Sequence, residues 1–163
     1  MQKIRYYVLK RMEQRKKLPI KPPHIAFTLL FLSWLADHLF PQFRFINGSN
    51  RYIGLAIFIV GISMTFYSFY LFKKNKTPIL PGQKPTFVVM AGPYKFTRNP
   101  MYLGVTIGLL GISIYIGNLL SLLSPLIFFT VMNMVYVPFE ERLLEKIFGK
   151  QYLDYKKEVR RWV

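Results

Sequence analysis

The chain has 163 residues, of which 52% are hydrophobic and 17% aromatic, and it carries a formal net charge of +16. This length fits a single domain. A chain that is both strongly apolar and strongly basic must separate the two properties along its sequence, as helical membrane proteins do. A nucleic-acid-binding protein would instead carry its basic residues on a folded polar surface, so we expect the lipid bilayer and not nucleic acid as a partner.

Cysteine is absent from the sequence, which excludes disulfides, cysteine metal ligands and a cysteine nucleophile. The two histidines, His24 and His38, lie far apart and lack the spacing of metal ligands. No metal site is therefore predicted.

Four apolar runs predict about four transmembrane helices. They cover roughly residues 24–40, 52–72, 101–116 and 119–137. A spanning helix needs roughly 20 apolar residues, so the second and fourth runs are long enough, whereas the first and third need flanking residues. Gly117 and Asn118 separate the last two runs and predict a tight helical hairpin.

Three other segments surround these runs. Residues 1–21 are strongly basic and fit either a helix on an anionic membrane surface or a disordered tail. The connection of about residues 73–99 is rich in proline and glycine, which predicts irregular backbone, while its apolar patch at 87–90 predicts an ordered segment. After Pro138 the pattern predicts an amphipathic helix, with Gly149 as a candidate stop and a second segment at 151–162.

The distribution of lysine and arginine predicts the orientation of the chain. Eight of these residues precede the first run, two lie in the first connection, six in the second, none in the third and seven after the fourth run. By the positive-inside rule both termini and the long second connection are cytoplasmic. The connection and the C-terminal tail then share one face of the membrane.

A polar cluster directly precedes the third run. Proline is favoured in the first turn of a helix, so Pro100 is expected to begin the third helix. The free N–H groups of that helix start, together with Arg98, suit a carboxylate or a phosphate. The alternative is that Asn99 is a plain cap and Arg98 only a topology signal.

Two neighbouring acids, Glu140 and Glu141, lie at the end of the fourth run. Adjacent carboxylates repel each other unless a cation is near, so one of them is a candidate ligand for an ammonium or sulfonium group. A solvated helix face is the alternative. Gly104 and Gly108 form a Gly-x-x-x-Gly pattern, which predicts close packing between membrane helices.

Four short motifs follow one another in a characteristic order: Gly92-Pro93-Tyr94, Arg98-Asn99-Pro100-Met101-Tyr102, Glu140-Glu141 and Phe148-Gly149-x-x-Tyr152. Together they resemble the integral-membrane methyltransferases, which include isoprenylcysteine carboxyl methyltransferase and the phospholipid N-methyltransferases. The resemblance implies a cofactor-binding core at residues 77–163 of one domain, 1–163. It also implies S-adenosylmethionine as methyl donor and a lipophilic or amphipathic acceptor.

The resemblance further implies which residues form the site. Residues at cofactor-binding positions are Thr86, Phe87, Val88, Val89, Tyr94, Asn99, Pro100, Met101, Tyr102 and Glu140. Residues expected to carry the chemistry are Arg98, Glu140 and Glu141. The chain departs from the family twice: Asn99 replaces the common histidine and cannot carry a proton at neutral pH, and Tyr136 replaces the arginine of the prenylcysteine enzymes, which argues against a prenylcysteine carboxylate as substrate.

Two other functions fit parts of the sequence. Sterol-reductase-like NADPH oxidoreductases share a similar helix–loop–helix core, and Lys84 and Lys95 could serve the nucleotide phosphate. A non-catalytic membrane scaffold would use both polar clusters as topology signals. The acidic pair and the motif that follows it favour the methyltransferase. The sequence thus predicts an all-α membrane protein with a cytoplasmic cofactor-binding connection and a C-terminal amphipathic helix.

The predicted orientation can be tested with a reporter fused after Val163. Because the basic residues flank an even number of predicted spans, we expect the reporter to be active on the cytoplasmic side. Reporter activity on the opposite face would contradict the four-span topology.

Overall fold

The computed structural model describes residues 20–46, 48–79 and 83–163. The prediction for the basic segment 1–21 therefore lies almost entirely outside the described residues. Within them the regular structure is helical and no β-strand occurs, which confirms the all-α prediction. The α-helices are α1 Pro22–Leu39, α2 Arg51–Lys74, α3 Pro100–Ile116, α4 Leu123–Val131, α5 Val137–Phe148 and α6 Lys150–Glu158.

Two stretches of the described residues are long and apolar enough to cross a membrane. They are Gly48–Lys74, with a mean hydropathy of 1.9, and Leu119–Phe148, with a mean hydropathy of 1.8. The other two predicted spans form shorter helices, α1 with 18 residues and α3 with 17. This pattern supports association with a membrane, while the crossing by four helices and their orientation stay predictions.

The fourth apolar run continues without a break into the predicted amphipathic helix. A short 3-10 turn, α4, a π-helical segment at Met132–Tyr136 and α5 join into one helix of 30 residues. The amphipathic helix predicted after Pro138 is therefore present, as the last part of this long helix. Proline cannot donate an N–H, and the wider π turn directly before it lets the helix pass this residue without ending.

Glycine brings α2 and α3 into close contact. A Cβ atom at Gly61 would lie 2.4 Å from the backbone nitrogen of Gly108, and one at Gly54 would lie 2.5 Å from the carbonyl oxygen of Gly111. A Cβ atom at Gly104 would lie 2.4 Å from the hydroxyl oxygen of Thr65. The predicted close packing of α3 is confirmed: Gly104 has no room for a Cβ atom, Gly108 contributes its backbone to the contact, and α2 supplies matching glycines.

The hairpin between α3 and α4 forms as predicted. Gly117 has φ +78°, a left-handed conformation that favours glycine. The buried side chain of Asn118 accepts a hydrogen bond from the backbone N–H of Leu120 at 3.0 Å and donates to the carbonyl of Phe40 at 3.0 Å. The hairpin is thereby fixed to the end of α1.

Helix α1 packs mainly against α3 and α4. Small hydroxyl side chains line this contact, as is common where membrane helices meet. The hydroxyl of Ser121 donates to the carbonyl of Ser33 at 3.2 Å, and that of Ser124 donates to the carbonyl of Leu29 at 3.2 Å. Because α1 leans toward α3 and α4, a cleft remains between α1 and α2.

The connection before α3 is held by the apolar patch predicted from the sequence. Val89 packs with Leu71 and Tyr94, while Val88 packs with Tyr152 and Tyr155 of α6. The two valines are buried, which confirms that this part of the connection is ordered. The connection therefore joins the end of α2 to the C-terminal helix.

The C-terminal segment departs from its prediction. The second segment expected at 151–162 is helical only to Glu158, and residues 159–163 form a non-helical segment that begins with an extended backbone at Val159. The ring of Trp162 packs on Phe129 with 4.7 Å between ring centroids, and its indole N–H donates to Asn133 at 3.0 Å. These contacts replace the helix that the pattern alone indicated.

The glycine contact predicts opposite outcomes for two alanine substitutions. Each substitution removes a helical glycine and so gains about 1 kcal/mol in helix propensity. In Gly61→Ala the new Cβ meets backbone atoms at 2.4 and 2.6 Å, and overpacking of this kind costs about 1–3 kcal/mol. In the control, Gly108→Ala, the nearest atom is a ring carbon of Phe58 at 3.7 Å.

We expect Gly61→Ala to lower the apparent Tm of the detergent-purified protein, whereas Gly108→Ala keeps or raises it. Thermal unfolding of both variants measures the difference. Equal melting temperatures would show that α2 and α3 separate without cost and that the glycine contact is not tight.

Candidate active site

A cavity of about 580 Å³ runs between α1 and α2 and ends beneath the connection that precedes α3. This volume lies within the roughly 300–1,000 Å³ of small-molecule sites. Side chains of the two helices form an apolar channel, lined among others by Ala26, Leu30, Phe58, Ile62 and Phe66. The end of the channel is polar and is lined by Arg98, Asn99, Tyr102, Glu140 and Glu141.

A buried ion cluster forms one wall of the polar end. The side chains of Arg98 and Glu141 are each 7% exposed, and the Arg98 Nη2 lies 3.0 Å from the Glu141 Oε1. Arg161 donates to both oxygens of the same carboxylate, from Nε at 3.1 Å and from Nη2 at 2.7 Å. This hydrogen bonding raises the pKa of Arg161, so its guanidinium stays charged. Lys156 lies 4.0 Å from Glu141.

Arg98 keeps two donors for a ligand. Its Nε and Nη1 atoms are buried and have no hydrogen-bond partner in the described part of the chain. A buried donor left without a partner costs about 1–3 kcal/mol, and more for a charged group. Because the side chain of Arg98 lines the cavity, its donors without a partner fit an anionic group of a ligand, and a carboxylate matches the fork of a guanidinium.

The neighbouring acid has a different environment. Glu140 lines the cavity and accepts a hydrogen bond from the hydroxyl of Tyr102 at 2.7 Å. Among the described residues Glu140 forms no ion pair. Successive residues of a helix point in different directions, so the two neighbouring acids have different partners. Glu141 pairs with the arginines, whereas Glu140 is available to bind a cation.

Most of the positions implied by the family resemblance meet at this cavity. Those that line it are Phe87, Val88, Val89, Tyr94, Arg98, Asn99, Met101, Tyr102, Glu140 and Glu141. Thr86 is exposed, and its hydroxyl donates to the carbonyl of Lys76 at 3.0 Å. Pro100 begins α3 as expected and is buried. Neither of these two residues lines the cavity, and their contacts hold the connection and the helix start in place.

Asn99 is not a plain helix cap. Its side-chain amide donates to the carbonyl of Arg161 at 2.9 Å, and no side-chain hydrogen bond caps α3. The backbone N–H of Asn99 donates to the hydroxyl of Thr97 at 3.2 Å. The polar segment before α3 is thus tied to the C-terminal segment.

Two tyrosines also line the cavity. The hydroxyl of Tyr155 donates to the carbonyl of Tyr94 at 2.7 Å, and both side chains are buried. Burial raises the pKa of Tyr155 to about 12 and raises the pKa of Tyr94 as well. Both phenols therefore remain protonated at neutral pH. Tyr94 packs on Phe72 with 5.5 Å between ring centroids.

Sequence reasoning missed several residues of this site. Arg161 belongs to it although no local pattern distinguishes it from the other basic residues of the tail. Tyr155 follows Tyr152 at a helical spacing of three, which is a weak signal that both residues lie on one face of α6. The α1 side of the channel depends on how the helices pack, and the sequence of one helix does not contain that information.

Two comparisons relate the chain to known proteins. The family model described as phospholipid methyltransferase matches residues 50–151, more than half of the chain. An uncharacterised protein of Haemophilus influenzae is 41% identical over 63 residues, which cover 39% of this chain and the whole of that protein. The family match includes Arg98, Glu140 and Glu141 and ends before the C-terminal segment 159–163.

The ion cluster predicts a large cost for removing its carboxylate charge. Glu141→Gln leaves Arg98 and Arg161 without their counter-charge, and breaking a buried pair costs about 3–5 kcal/mol. Because the Arg161 side chain is 36% exposed, we expect the lower end of that range. For a chain of this size the apparent Tm then falls by roughly 6–12 °C.

The matched control is Asp154→Asn. The ion pair of Asp154 with Lys157 is solvent-exposed, at 46% and 77%, and contributes at most about 1 kcal/mol. Thermal unfolding of both variants in the same detergent compares them. Equal shifts would show that Glu141 is not a structural charge.

Proposed function

Since the chain belongs to the phospholipid methyltransferase family, we propose that it transfers a methyl group from S-adenosylmethionine to a lipophilic or amphipathic acceptor. The observation that carries this proposal is the charged end of the cavity. There the side chain of Arg98, whose Nε and Nη1 have no hydrogen-bond partner in the described part of the chain, and the side chain of Glu140 line the same cavity as the apolar channel. A site with one anion-binding wall, one cation-binding wall and an apolar approach suits a zwitterionic donor and a lipid acceptor.

The residues of the polar end fit the groups of the donor. Arg98 would hold the carboxylate through Nε and Nη1, and Glu140 would hold the ammonium group. Val88, Val89 and the ring of Tyr94 offer an apolar surface for the adenine. When bound, S-adenosylmethionine supplies an electrophilic methyl carbon on a sulfonium.

The chain contributes alignment to the reaction. Methyl transfer is an in-line displacement that depends on proximity and orientation more than on a strong acid or base. Tyr102 donates to one oxygen of Glu140 and so fixes its carboxylate, with the second oxygen directed at a ligand as our proposal requires. The buried Val88 and Val89 keep water from the apolar side of the site.

The acceptor would enter from the side. The channel between α1 and α2 is lined by Ala26, Leu30, Phe58 and Ile62, which suit a hydrocarbon chain. With the predicted orientation the polar end faces the cytoplasm, so a soluble donor reaches it from water while the acceptor stays in the bilayer. The multi-pass topology with both termini in the cytoplasm is part of this proposal.

The geometry of the cavity does not support the reductase alternative. Lys84 and Lys95, the basic residues that it would use for a nucleotide phosphate, are exposed and do not line the cavity. The scaffold alternative does not explain why Nε and Nη1 of the buried Arg98 have no hydrogen-bond partner in the described part of the chain. We therefore retain the methyltransferase as the proposed function.

Two substitutions test the assignment of the polar end. Arg98→Ala removes the free donors while Glu141 keeps Arg161, and Glu140→Gln removes the proposed partner of the ammonium. A hydrogen bond to a charged group contributes about 1.5–3 kcal/mol, so each substitution should weaken S-adenosylmethionine binding roughly 10- to 100-fold. Calorimetry on detergent-purified variants measures the dissociation constants.

The control for this experiment is Lys95→Ala, which removes an exposed positive charge from the same connection. We expect it to bind the donor as the unchanged protein does. Folding is checked by thermal unfolding of each variant. Unchanged affinity in both Arg98→Ala and Glu140→Gln would refute the assignment of the pocket.

A further inference from the structure

We propose that Arg161, in the non-helical C-terminal segment 159–163, is a positioning residue that aims Arg98 at the donor's carboxylate. This inference rests on the proposed function and adds to it a residue outside the part of the chain that matches the family model. Its basis is how the segment is held and which atoms of Arg98 it leaves free.

The segment is bound to the polar loop by hydrogen bonds. The backbone N–H of Arg98 donates to the carbonyl of Arg160 at 3.0 Å. The hydroxyl of Thr97 and the side-chain amide of Asn99 donate to the carbonyl of Arg161, at 3.0 and 2.9 Å. Three consecutive residues before α3 thus use the C-terminal segment as their acceptor, and their backbone is fixed by it.

The other side of the segment is anchored on the long helix. Trp162 packs on Phe129 and donates its indole N–H to Asn133 at 3.0 Å. Asn133 belongs to the π-helical segment, so the wider turn presents its amide to the tail. The Arg161 side chain lies between this anchor and the bonds to the loop, which leaves it little freedom to move away from Glu141.

The arrangement determines which donors of Arg98 remain available. A guanidinium and a carboxylate prefer to pair through two parallel hydrogen bonds. Arg161 takes this arrangement with Glu141, using Nε and Nη2. Arg98 therefore meets Glu141 through Nη2 alone and keeps Nε and Nη1 unpartnered among the described residues. Without Arg161, Arg98 could turn its fork to Glu141 and away from the cavity.

The test compares two ligands that differ in the group assigned to Arg98. Decarboxylated S-adenosylmethionine lacks the carboxylate and retains the ammonium, sulfonium and adenine. The unchanged protein should bind S-adenosylmethionine roughly tenfold or more tightly than this analogue. Arg161→Gln should lose that preference: affinity for S-adenosylmethionine falls about tenfold, while affinity for the analogue stays the same.

The matched control is Arg160→Gln, which changes the exposed arginine next to Arg161 and keeps the backbone carbonyl that Arg98 uses. It should retain the full preference for the carboxylate. If Arg161→Gln is too unstable to purify, Arg161→Lys carries the test, because it keeps the charge and loses the fork. Its affinity for S-adenosylmethionine should then fall more than its affinity for the analogue.

The outcomes separate this inference from the proposed function. An equal loss of affinity for both ligands in the Arg161 variant would show a merely structural role and overturn the inference, as would no loss at all. If the unchanged protein binds S-adenosylmethionine but shows no preference over the analogue, the carboxylate is not held by Arg98 and the inference fails. If it binds neither ligand, the proposed function itself fails and the inference with it.

Discussion

The carboxylate of Glu141 is the charge on which the rest of the site depends. It is buried, and a buried charge is stable only when it is paired and hydrogen-bonded. Its partners come from three parts of the chain: Arg98 before α3, Lys156 of α6 and Arg161 of the C-terminal segment 159–163. One side chain of the long helix therefore joins the connection, α6 and the C-terminal segment, and it fixes the polar end of the cavity where they meet.

The packing of the apolar helices determines where the channel lies. The glycines of α2 and α3 let their backbones touch, and the serines of α1 and α4 let those helices approach each other. Tight contact on these sides leaves the face between α1 and α2 open as a channel. Helix packing without bulky side chains thus produces a space that is apolar along its length and charged at its end, the combination that our proposed function requires.

Features set by neighbouring residues could be predicted from the sequence, and features set by distant contacts could not. Pro100 as a helix start, the Gly117 hairpin and the apolar patch at 87–90 follow from local chemistry, and each is found in the structure. The family resemblance located Arg98 and Glu140 at one cavity. The unbroken helix past Pro138, the division of Glu140 from Glu141 and the contribution of Arg161 depend on packing between segments far apart in the chain, which no local pattern encodes.

Whether the charged end of the cavity is a methyl-donor site, as we propose, is tested most directly by calorimetric titration of the detergent-purified, unchanged protein with S-adenosylmethionine and, separately, with NADPH. We expect saturable binding of S-adenosylmethionine with one site per chain and no measurable binding of NADPH. Binding of NADPH without binding of S-adenosylmethionine would contradict a methyl-donor site and assign the cavity to a reductase, and binding of neither ligand would contradict it as well.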